Sequence, residues 1–202
     1  MEKSHFIIVA LGDSLTVGYR FSDPYALDPR VPYSARLERM IRARLGVLGR
    51  GIQAFVINGG INGDSTDGML KRFEKDVALE KPDVVVVWAG MNDLGSGRSL
   101  DYILGNLRRL YVACRGIKAE PVACTLTPIN HTSSLMRELN DMIRSNCTKE
   151  GITLVDLFSF LADDGGNLRS EYSDDGVHLT ALGYGRVAEA VLEVLTPIFE
   201  RE

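Results

Sequence analysis

Short apolar runs rich in β-branched residues alternate along this chain with longer stretches in which apolar residues recur at helical spacing. The runs are apolar almost throughout, which is typical of strands buried on both faces of a parallel sheet. The longer stretches predict amphipathic helices that cover such a sheet. The predicted strands are Phe6–Leu11, Ile52–Ile57, Asp83–Ala89, Glu120–Leu126 and Thr153–Leu157, and the predicted helices are Tyr33–Leu48, Ser65–Leu79, Leu100–Arg115, Ser134–Lys149 and Ala181–Phe199.

This alternation of strand and helix predicts an α/β fold. The expected architecture is a three-layer α/β/α sandwich around a five-stranded parallel sheet. The length of 202 residues suits one domain, and no repeat, low-complexity tract or linker divides the chain. We therefore expect a single domain over residues 1–202.

Composition and charge narrow the classes of function. A net charge of −4, a pI of about 5.5 and the lack of a basic tract argue against nucleic-acid binding. Cys114, Cys124 and Cys147 are too few and too scattered for a disulfide framework or a zinc site, so we predict buried thiols and neither a metal nor a cofactor. Because only Met1–His5 precede the first apolar run and no segment is long enough to span a membrane, we expect a cytoplasmic protein without a signal peptide.

Polar, glycine-rich segments begin where the predicted strands end. Open parallel sheets bind ligands beyond the carboxyl ends of their strands, so these segments are where a site is expected. The segments after the first four strands are Gly12–Thr16, Asn58–Asp64, Gly90–Asp93 and Thr127–His131.

Asp175 and His178 form a compact pair just before the last predicted helix. A hydrolytic serine needs a base to take its proton and a third group to hold that base, and a turn through Gly176 can fold the carboxylate back onto the imidazole. Ser14, at the end of the first strand, is the candidate nucleophile. Taken alone, the Asp-Gly pair is an ordinary turn and Ser14 an ordinary strand-end serine. Taken together, they lie at one edge of one sheet and favour a hydrolase.

Four short blocks resemble the signature of the SGNH, or GDSL, hydrolases. They are Gly12-Asp13-Ser14-Leu15, Gly63, Gly90-Met91-Asn92-Asp93 and Asp175-Gly176-Val177-His178, and they span nearly the whole chain in the order of that family. Within the family, the chain is most similar to the small bacterial thioesterase I, lysophospholipase and arylesterase branch. The resemblance implies a flavodoxin-like SGNH hydrolase fold.

The resemblance also implies a role for each of five residues. Ser14 is the implied nucleophile, and its backbone N–H is one donor to the oxyanion. The backbone N–H of Gly63 and the side-chain amide of Asn92 are the other two donors. His178 is the implied general base and then acid, and Asp175 orients it. Such preorganised donors stabilise a tetrahedral oxyanion, and the loss of one typically costs ~10²–10³ in rate.

These assignments have alternatives, both for one residue and for the class of protein. Gly60 competes with Gly63 for the oxyanion role. An α/β-hydrolase would carry its serine in a GxSxG elbow, which this sequence lacks. The glycine-rich Gly59–Gly63 segment could belong to a nucleotide-binding module, but it matches neither GxGxxG nor a Walker A motif. A catalytically inactive relative that serves as a binding module is disfavoured because every required residue type is present.

We therefore expect a serine esterase or acylhydrolase that cleaves small carboxylic esters or thioesters through an acyl-enzyme intermediate. A carbohydrate O-acetylesterase, or a lysophospholipase or acyl-CoA thioesterase for longer acyl chains, are the alternatives. We expect an aromatic loop to bound a shallow groove that favours short acyl groups, from acetyl to about hexanoyl. The residues of this loop are Tyr19, Phe21, Tyr25, Leu27 and Tyr33.

Overall fold

The protein is built on one parallel sheet. The computed structural model describes residues 5–25, 28–48 and 51–199. Within these ranges the five strands pair in parallel in the order β2-β1-β3-β4-β5, which confirms the predicted sheet. The strands are β1 His5–Gly12, β2 Gln53–Gly60, β3 Val84–Trp88, β4 Glu120–Cys124 and β5 Thr153–Val155.

Helices cover both faces of this sheet. One face packs against α2, α7 and α8, and the other packs against α3, α5 and α6. The short helices α1 and α4 directly follow β1 and β3. The helices are α1 Ser14–Val17, α2 Tyr33–Val47, α3 Thr66–Asp76, α4 Met91–Gly95, α5 Leu100–Gly116, α6 Ser134–Glu150, α7 Leu157–Leu161 and α8 Ala181–Phe199, with single 3₁₀ turns at Ala78–Glu80 and Ser170–Tyr172.

Strand β1 shows why its sequence is apolar almost throughout. Ile8 and Ala10 belong to the core beneath α2 and α8, whereas Val9 and Leu11 belong to the core beneath α3 and α5. Successive side chains of a strand point to opposite faces, so a strand covered on both sides buries all of them. The apolar run is therefore the signature of a central strand.

Serine caps set where three of the long helices begin. The hydroxyl oxygen of Ser65 accepts a hydrogen bond from the Gly68 amide at 3.2 Å, and Ser99 and Ser133 cap α5 and α6 in the same way. A serine at this position satisfies an amide that has no partner inside the helix. Each capping serine follows a loop at the edge of the sheet, so the caps also fix the direction in which the chain leaves that edge.

The structure differs from the prediction at two of the sheet-edge segments. Asn58–Gly60, expected in a loop, continue β2 and pair with Ala10–Gly12 of β1. The segment after β3, expected as a loop, forms helix α4. Both changes bring backbone closer to the end of β1, where Ser14 begins its helix.

The strand order places a crevice at the end of β1 and β3. The chain crosses from β1 to β2 on one side and continues through β3, β4 and β5 on the other. In doubly wound sheets such a switch point, outside the carboxyl ends of the strands, is where ligands bind. None of the helices in the described ranges is long and apolar enough to cross a membrane.

Candidate active site

A tight turn at the end of β1 presents Ser14. The carboxylate of Asp13 accepts a hydrogen bond from the Leu15 amide at 3.0 Å, and the Asp13 carbonyl accepts from the amides of Thr16 and Val17. These bonds start α1 immediately after the strand. The Ser14 amide thus lies in the first turn of a helix, where backbone N–H groups lack intrahelical acceptors.

A second turn holds Asp175 against His178. Gly176 has a φ of 83°, a left-handed conformation that glycine adopts without strain, and the turn folds the Asp175 carboxylate back as predicted. Oδ1 of Asp175 accepts from the amides of Val177 at 2.9 Å and His178 at 2.7 Å. The hydroxyl of Ser173 donates to the His178 carbonyl at 2.6 Å and closes the turn.

The structure brings the three predicted side chains into one line. Oγ of Ser14 lies 3.2 Å from Nε2 of His178, and Nδ1 of His178 lies 2.7 Å from Oδ2 of Asp175. Both distances are within hydrogen-bonding reach, and the order is nucleophile, base and orienting group. Ser14 and His178 are 164 residues apart in the sequence.

The environment keeps the Asp175 carboxylate ionised. Partial burial by itself would raise the pKa of Asp175, but the hydrogen bonds from the His178 ring and from the Val177 and His178 amides outweigh it and hold the pKa below its usual range. An ionised carboxylate at Nδ1 favours the tautomer in which Nε2 can accept a proton.

One contact to the imidazole was not predicted from the sequence. The ring of Tyr19 lies over the ring of His178, with centroids 4.4 Å apart and an interplanar angle of 57°. The Tyr19 carbonyl accepts a hydrogen bond from the buried hydroxyl of Tyr184 at 2.6 Å, which ties this loop residue to α8. No local pattern pairs Tyr19 with a histidine so distant in the sequence.

The predicted oxyanion donors Gly63 and Asn92 line one cavity at the edge of the sheet. The amide nitrogen Nδ2 of Asn92 donates to the carbonyl of Asp64 at 2.9 Å and approaches the carboxylate of Asp13 at 3.2 Å. The alternative donor, the Gly60 amide, donates instead to Oδ1 of Asn58 at 3.0 Å within the end of β2. The geometry therefore favours Gly63 over Gly60.

Two buried aspartates flank the site and hold its loops. Burial raises the pKa of Asp13 to about 6, even though its carboxylate caps α1. Asp93 accepts hydrogen bonds from both the amide and the hydroxyl of Thr66, at 2.9 and 2.7 Å, and so joins the start of α3 to α4. Both side chains are almost fully buried, at 3% and 1% exposure, so each acts by fixing the loops around Ser14 and Asn92.

The cavity beside the oxyanion donors has a volume of about 490 Å³ and an apolar wall. This wall was not predicted, because the sequences of the loops after β3 and β4 are short and polar. Helix formation in α4 turns Met91 and Leu94 toward the same depression as Ile129 and Met136. The lining is completed by small residues, and the full set is Gly63, Met91, Asn92, Leu94, Gly95, Ser96, Ile129, Ser133 and Met136.

The described residues of the aromatic loop do not line this cavity, where the sequence predicted an aromatic wall. Phe21 and Tyr25 are 64% and 82% exposed, and Tyr33 is buried in the core against Trp88. Leu27 lies outside the described residues. Of the loop residues that the structure describes, Tyr19 packs against His178, because the turn after α1 brings it back over the imidazole. The apolar side of the cavity described above lies instead at α4 and α6.

The remaining candidate residues are not among those that line this cavity. His131 is exposed in the loop after β4. The three cysteines are buried free thiols, and burial raises the pKa of Cys114 to about 12. Within the described ranges, no group of three or more histidine, cysteine or acidic side chains comes together in a way that could hold a metal ion.

A family comparison identifies the class of protein to which the chain belongs. The profile of the GDSL-like lipase/acylhydrolase family matches residues 10–186. This match extends from the end of β1 to α8 and includes the Ser14, Asn92 and His178 segments. The chain therefore belongs to the GDSL-like lipase/acylhydrolase family.

Individual relatives have low sequence identity to this chain but match most of its length. The chain is 26% identical over 186 residues to esterase TesA of Pseudomonas aeruginosa, a match that covers 91% of this chain and 88% of the relative. It is 27% identical over 155 residues to platelet-activating factor acetylhydrolase IB subunit alpha1 of Pongo abelii, covering 72% of this chain and 66% of that relative's length. A solved lipase/acylhydrolase from Enterococcus faecalis shares the fold, with a TM-score of 0.77, 24% identity and coverage of 95% and 96%.

Proposed function

We propose that this protein is a serine esterase or acylhydrolase that cleaves small carboxylic esters or thioesters. The observation that carries the proposal is the line of hydrogen bonds from Ser14 through His178 to Asp175, at 3.2 and 2.7 Å. A nucleophile, a base and an orienting carboxylate in this order are what acyl transfer to a serine requires. These three residues belong to one unit built around a single sheet, which supports a single domain over residues 1–202.

The proposed reaction has two halves. Oγ of Ser14 attacks the substrate carbonyl carbon while its proton passes to Nε2 of His178, and the tetrahedral intermediate collapses when that proton moves to the departing alcohol or thiol. A water molecule then attacks the acyl-enzyme, with His178 again taking and returning the proton, and the acid is released. Asp175 holds the imidazolium that forms in each half.

Charge on the carbonyl oxygen needs donors that are already in place. We assign this role to the backbone amides of Ser14 and Gly63 and to the side-chain amide of Asn92. Their support is local: Ser14 opens α1, and Gly63 and Asn92 line one cavity. Donors fixed by the fold stabilise the oxyanion without reorganising during the reaction.

The acyl group would lie in the cavity between α4 and α6. Its volume of about 490 Å³ and its Met91, Leu94, Ile129 and Met136 side chains suit an aliphatic chain. Methionine side chains adapt to chains of different shape. This cavity favours acyl groups longer than the acetyl-to-hexanoyl range inferred from the sequence. One relative is named as an esterase and another as an acetylhydrolase, and both names support carboxylic esters as the substrate class proposed for this chain.

The proposal is tested by active-site labelling together with hydrolysis. A fluorophosphonate probe should label the wild-type protein and should fail to label Ser14→Ala and His178→Ala variants that keep their circular dichroism spectra. The same variants should lose hydrolysis of p-nitrophenyl butyrate by several orders of magnitude. Near wild-type hydrolysis by Ser14→Ala would refute the nucleophile. A correctly folded wild type that neither labels nor hydrolyses any ester from acetyl to palmitoyl would favour the binding-module alternative.

A further inference from the structure

A largely buried arginine on α3 connects the segments that carry the proposed oxyanion donors. The side chain of Arg72 is only 13% exposed. Its Nε donates to Oδ2 of Asp64 at 2.8 Å, one terminal nitrogen donates to Asp76 at 3.2 Å, and the other donates to the Gly12 carbonyl at 3.1 Å. One guanidinium therefore holds helix α3, the end of β1 and the loop after β2.

The contact between Arg72 and the Gly12 carbonyl fixes the approach to Ser14. Gly12 is the last residue of β1 and lies two positions before Ser14. Its carbonyl accepts a second hydrogen bond, from the Ile61 amide at 3.1 Å. The same oxygen thus receives a donor from Arg72 and a donor from the loop that carries Gly63, and this sets the spacing between the two segments.

The contact between Arg72 and the Asp64 carboxylate fixes Gly63 and Asn92. Asp64 follows Gly63 directly, and its carboxylate, 10% exposed, is bound by Arg72 through Oδ2 and by the Ser65 amide through Oδ1. The carbonyl of the same residue accepts the side-chain amide of Asn92 at 2.9 Å. The orientation of Asp64 therefore determines the position of both donors.

The lack of a side chain at Gly68 leaves room for the Asp64 carboxylate. A Cβ atom at this position would lie 1.9 Å from Oδ1 of Asp64, so a larger residue on this turn of α3 would displace the carboxylate. Glycine is less favourable than alanine in a helix, and its presence here is explained by the close approach of the Asp64 carboxylate.

We propose that Arg72 is a positioning residue that sets the geometry of the oxyanion hole, an inference that rests on the proposed function. Arginine suits the task because its planar fork can donate in several fixed directions at once, whereas lysine offers a single point of charge. Arg72 does not line the cavity assigned to the acyl group. It acts through Gly12 and Asp64 on the backbone amides of Ser14 and Gly63 and on the Asn92 side chain.

The test separates transition-state stabilisation from folding. Arg72→Met should lower kcat/KM for p-nitrophenyl butyrate by about 10- to 100-fold, less than or near the loss of one donor. KM should change by less than about threefold, because the lost interaction matters only once the oxyanion forms. Inhibition by butaneboronic acid, whose adduct on Ser14 places an oxygen in the oxyanion hole, should weaken by a similar factor.

Arg144 provides the matched control. It also bridges two carboxylates, those of Asp141 and Asp156, at 2.7 and 2.8 Å, but contacts no residue of the proposed site. Arg144→Met should remove a comparable ion-pair network while leaving kcat/KM and boronate affinity within about threefold of the wild type. If Arg72→Met does not fold, Arg72→Lys keeps the charge without the fork and should show the same pattern at smaller size.

The outcomes distinguish this inference from the proposed function. Restoration of kcat in folded Arg72→Ala by millimolar guanidinium, without restoration in Asn92→Ala, would support positioning by the guanidinium itself. Unchanged boronate affinity in Arg72→Met or Arg72→Lys, or an equal loss in Arg144→Met, would overturn the role of Arg72 while Ser14→Ala remains inactive. Activity that survives in Ser14→Ala would instead overturn the proposed function.

Discussion

The carboxylate of Asp13 lies 3.2 Å from the side-chain amide nitrogen of Asn92. The other hydrogen of this amide is donated to the Asp64 carbonyl at 2.9 Å, so both hydrogens have an acceptor before a substrate binds. The oxyanion proposed above would have to compete with Asp13 for one of them. Asp13 thus both aims the Asn92 amide and places a carboxylate beside the position where negative charge develops.

Burial of Asp13 gives a prediction for stability against pH. Burial raises its pKa from 3.8 to about 6, so the folded state binds this proton more tightly than the unfolded state. The contribution of Asp13 to stability is therefore present below about pH 4 and is lost as the pH rises toward about 6. The free energy of unfolding of the wild type, relative to Asp13→Asn, should fall by up to about 3 kcal/mol between pH 4 and pH 7.

Urea unfolding at a series of pH values measures this difference. Asp28→Asn is a useful comparison because hydrogen bonds from exposed Arg30 lower the pKa of Asp28 to about 2, the opposite direction. The wild type should not lose stability relative to that variant as the pH rises. A difference between wild type and Asp13→Asn that stays constant from pH 4 to pH 7 would contradict the buried, proton-binding carboxylate.

Replacing Asp175 by asparagine should uncouple the base while the turn stays folded. Oδ1 would still accept the amides of Val177 and His178, but an NH₂ group would replace the oxygen that now faces Nδ1. This favours the tautomer with its proton on Nε2, which cannot accept the Ser14 proton. We expect kcat to fall by about 10²–10⁴ with little change in thermal stability. Stopped-flow hydrolysis and differential scanning fluorimetry give the two quantities, and equal activity of the variant would exclude an orienting role.

The contact between Tyr19 and His178 predicts that the tyrosine ring holds the imidazole in place. Tyr19→Leu removes this ring and should lower kcat/KM by about tenfold, because a small displacement of a catalytic group lowers the rate. Tyr19→Phe keeps the ring and should stay within about threefold of the wild type. Hydrolysis of p-nitrophenyl butyrate provides the measurement. Equal kcat/KM in the leucine variant and the wild type would show that the ring contact does not act on the base.

Gly95 offers a way to shorten the cavity without disturbing the backbone. It ends α4, lines the cavity, and a Cβ added there meets no atom within 4 Å. Gly95→Leu should therefore fill the space next to Leu94 and lower kcat/KM for octanoyl esters more than for acetyl esters, by about tenfold or more if one or two methylenes lose their contacts.

Gly46→Leu is the control, since Gly46 is an exposed helical glycine with equal room for a side chain on α2. The ratio of octanoyl to acetyl kcat/KM decides the matter. A ratio that is unchanged in Gly95→Leu, or that falls equally in Gly46→Leu, would place the acyl group elsewhere.

Much of the fold could be predicted because buried strands and long helices repeat their pattern over many residues. The boundaries of α2 and α8 fall within one residue of the prediction, since a two-layer core imposes an apolar stripe on every turn. Helix α4 could not be predicted in this way. Its five residues bury too few side chains to show a period, and its glycine at each end is typical of a loop.

In the candidate site, too, local features could be predicted from the sequence and contacts between distant segments could not. The Asp175–His178 pair was predictable because the two residues that interact are three positions apart and share one turn. The contacts of Arg72 with Gly12 and of Tyr19 with His178 join segments that only the folded sheet brings together, so no local spacing records them. The apolar side of the cavity was missed for a similar reason, because Met91 and Met136 come from two different loop-to-helix junctions.

The separation of 164 positions between Ser14 and His178 has a consequence for the synthesis of the protein. The serine leaves the ribosome well before its base, which under the proposed mechanism follows only after β2, β3, β4 and β5 have been made. Contacts of such large sequence separation form late, since the intervening chain must be ordered first. A nascent chain would therefore carry an inert serine, and the return of esterase activity during refolding would report the closing of the loop between Ser14 and His178 rather than the appearance of helix or sheet.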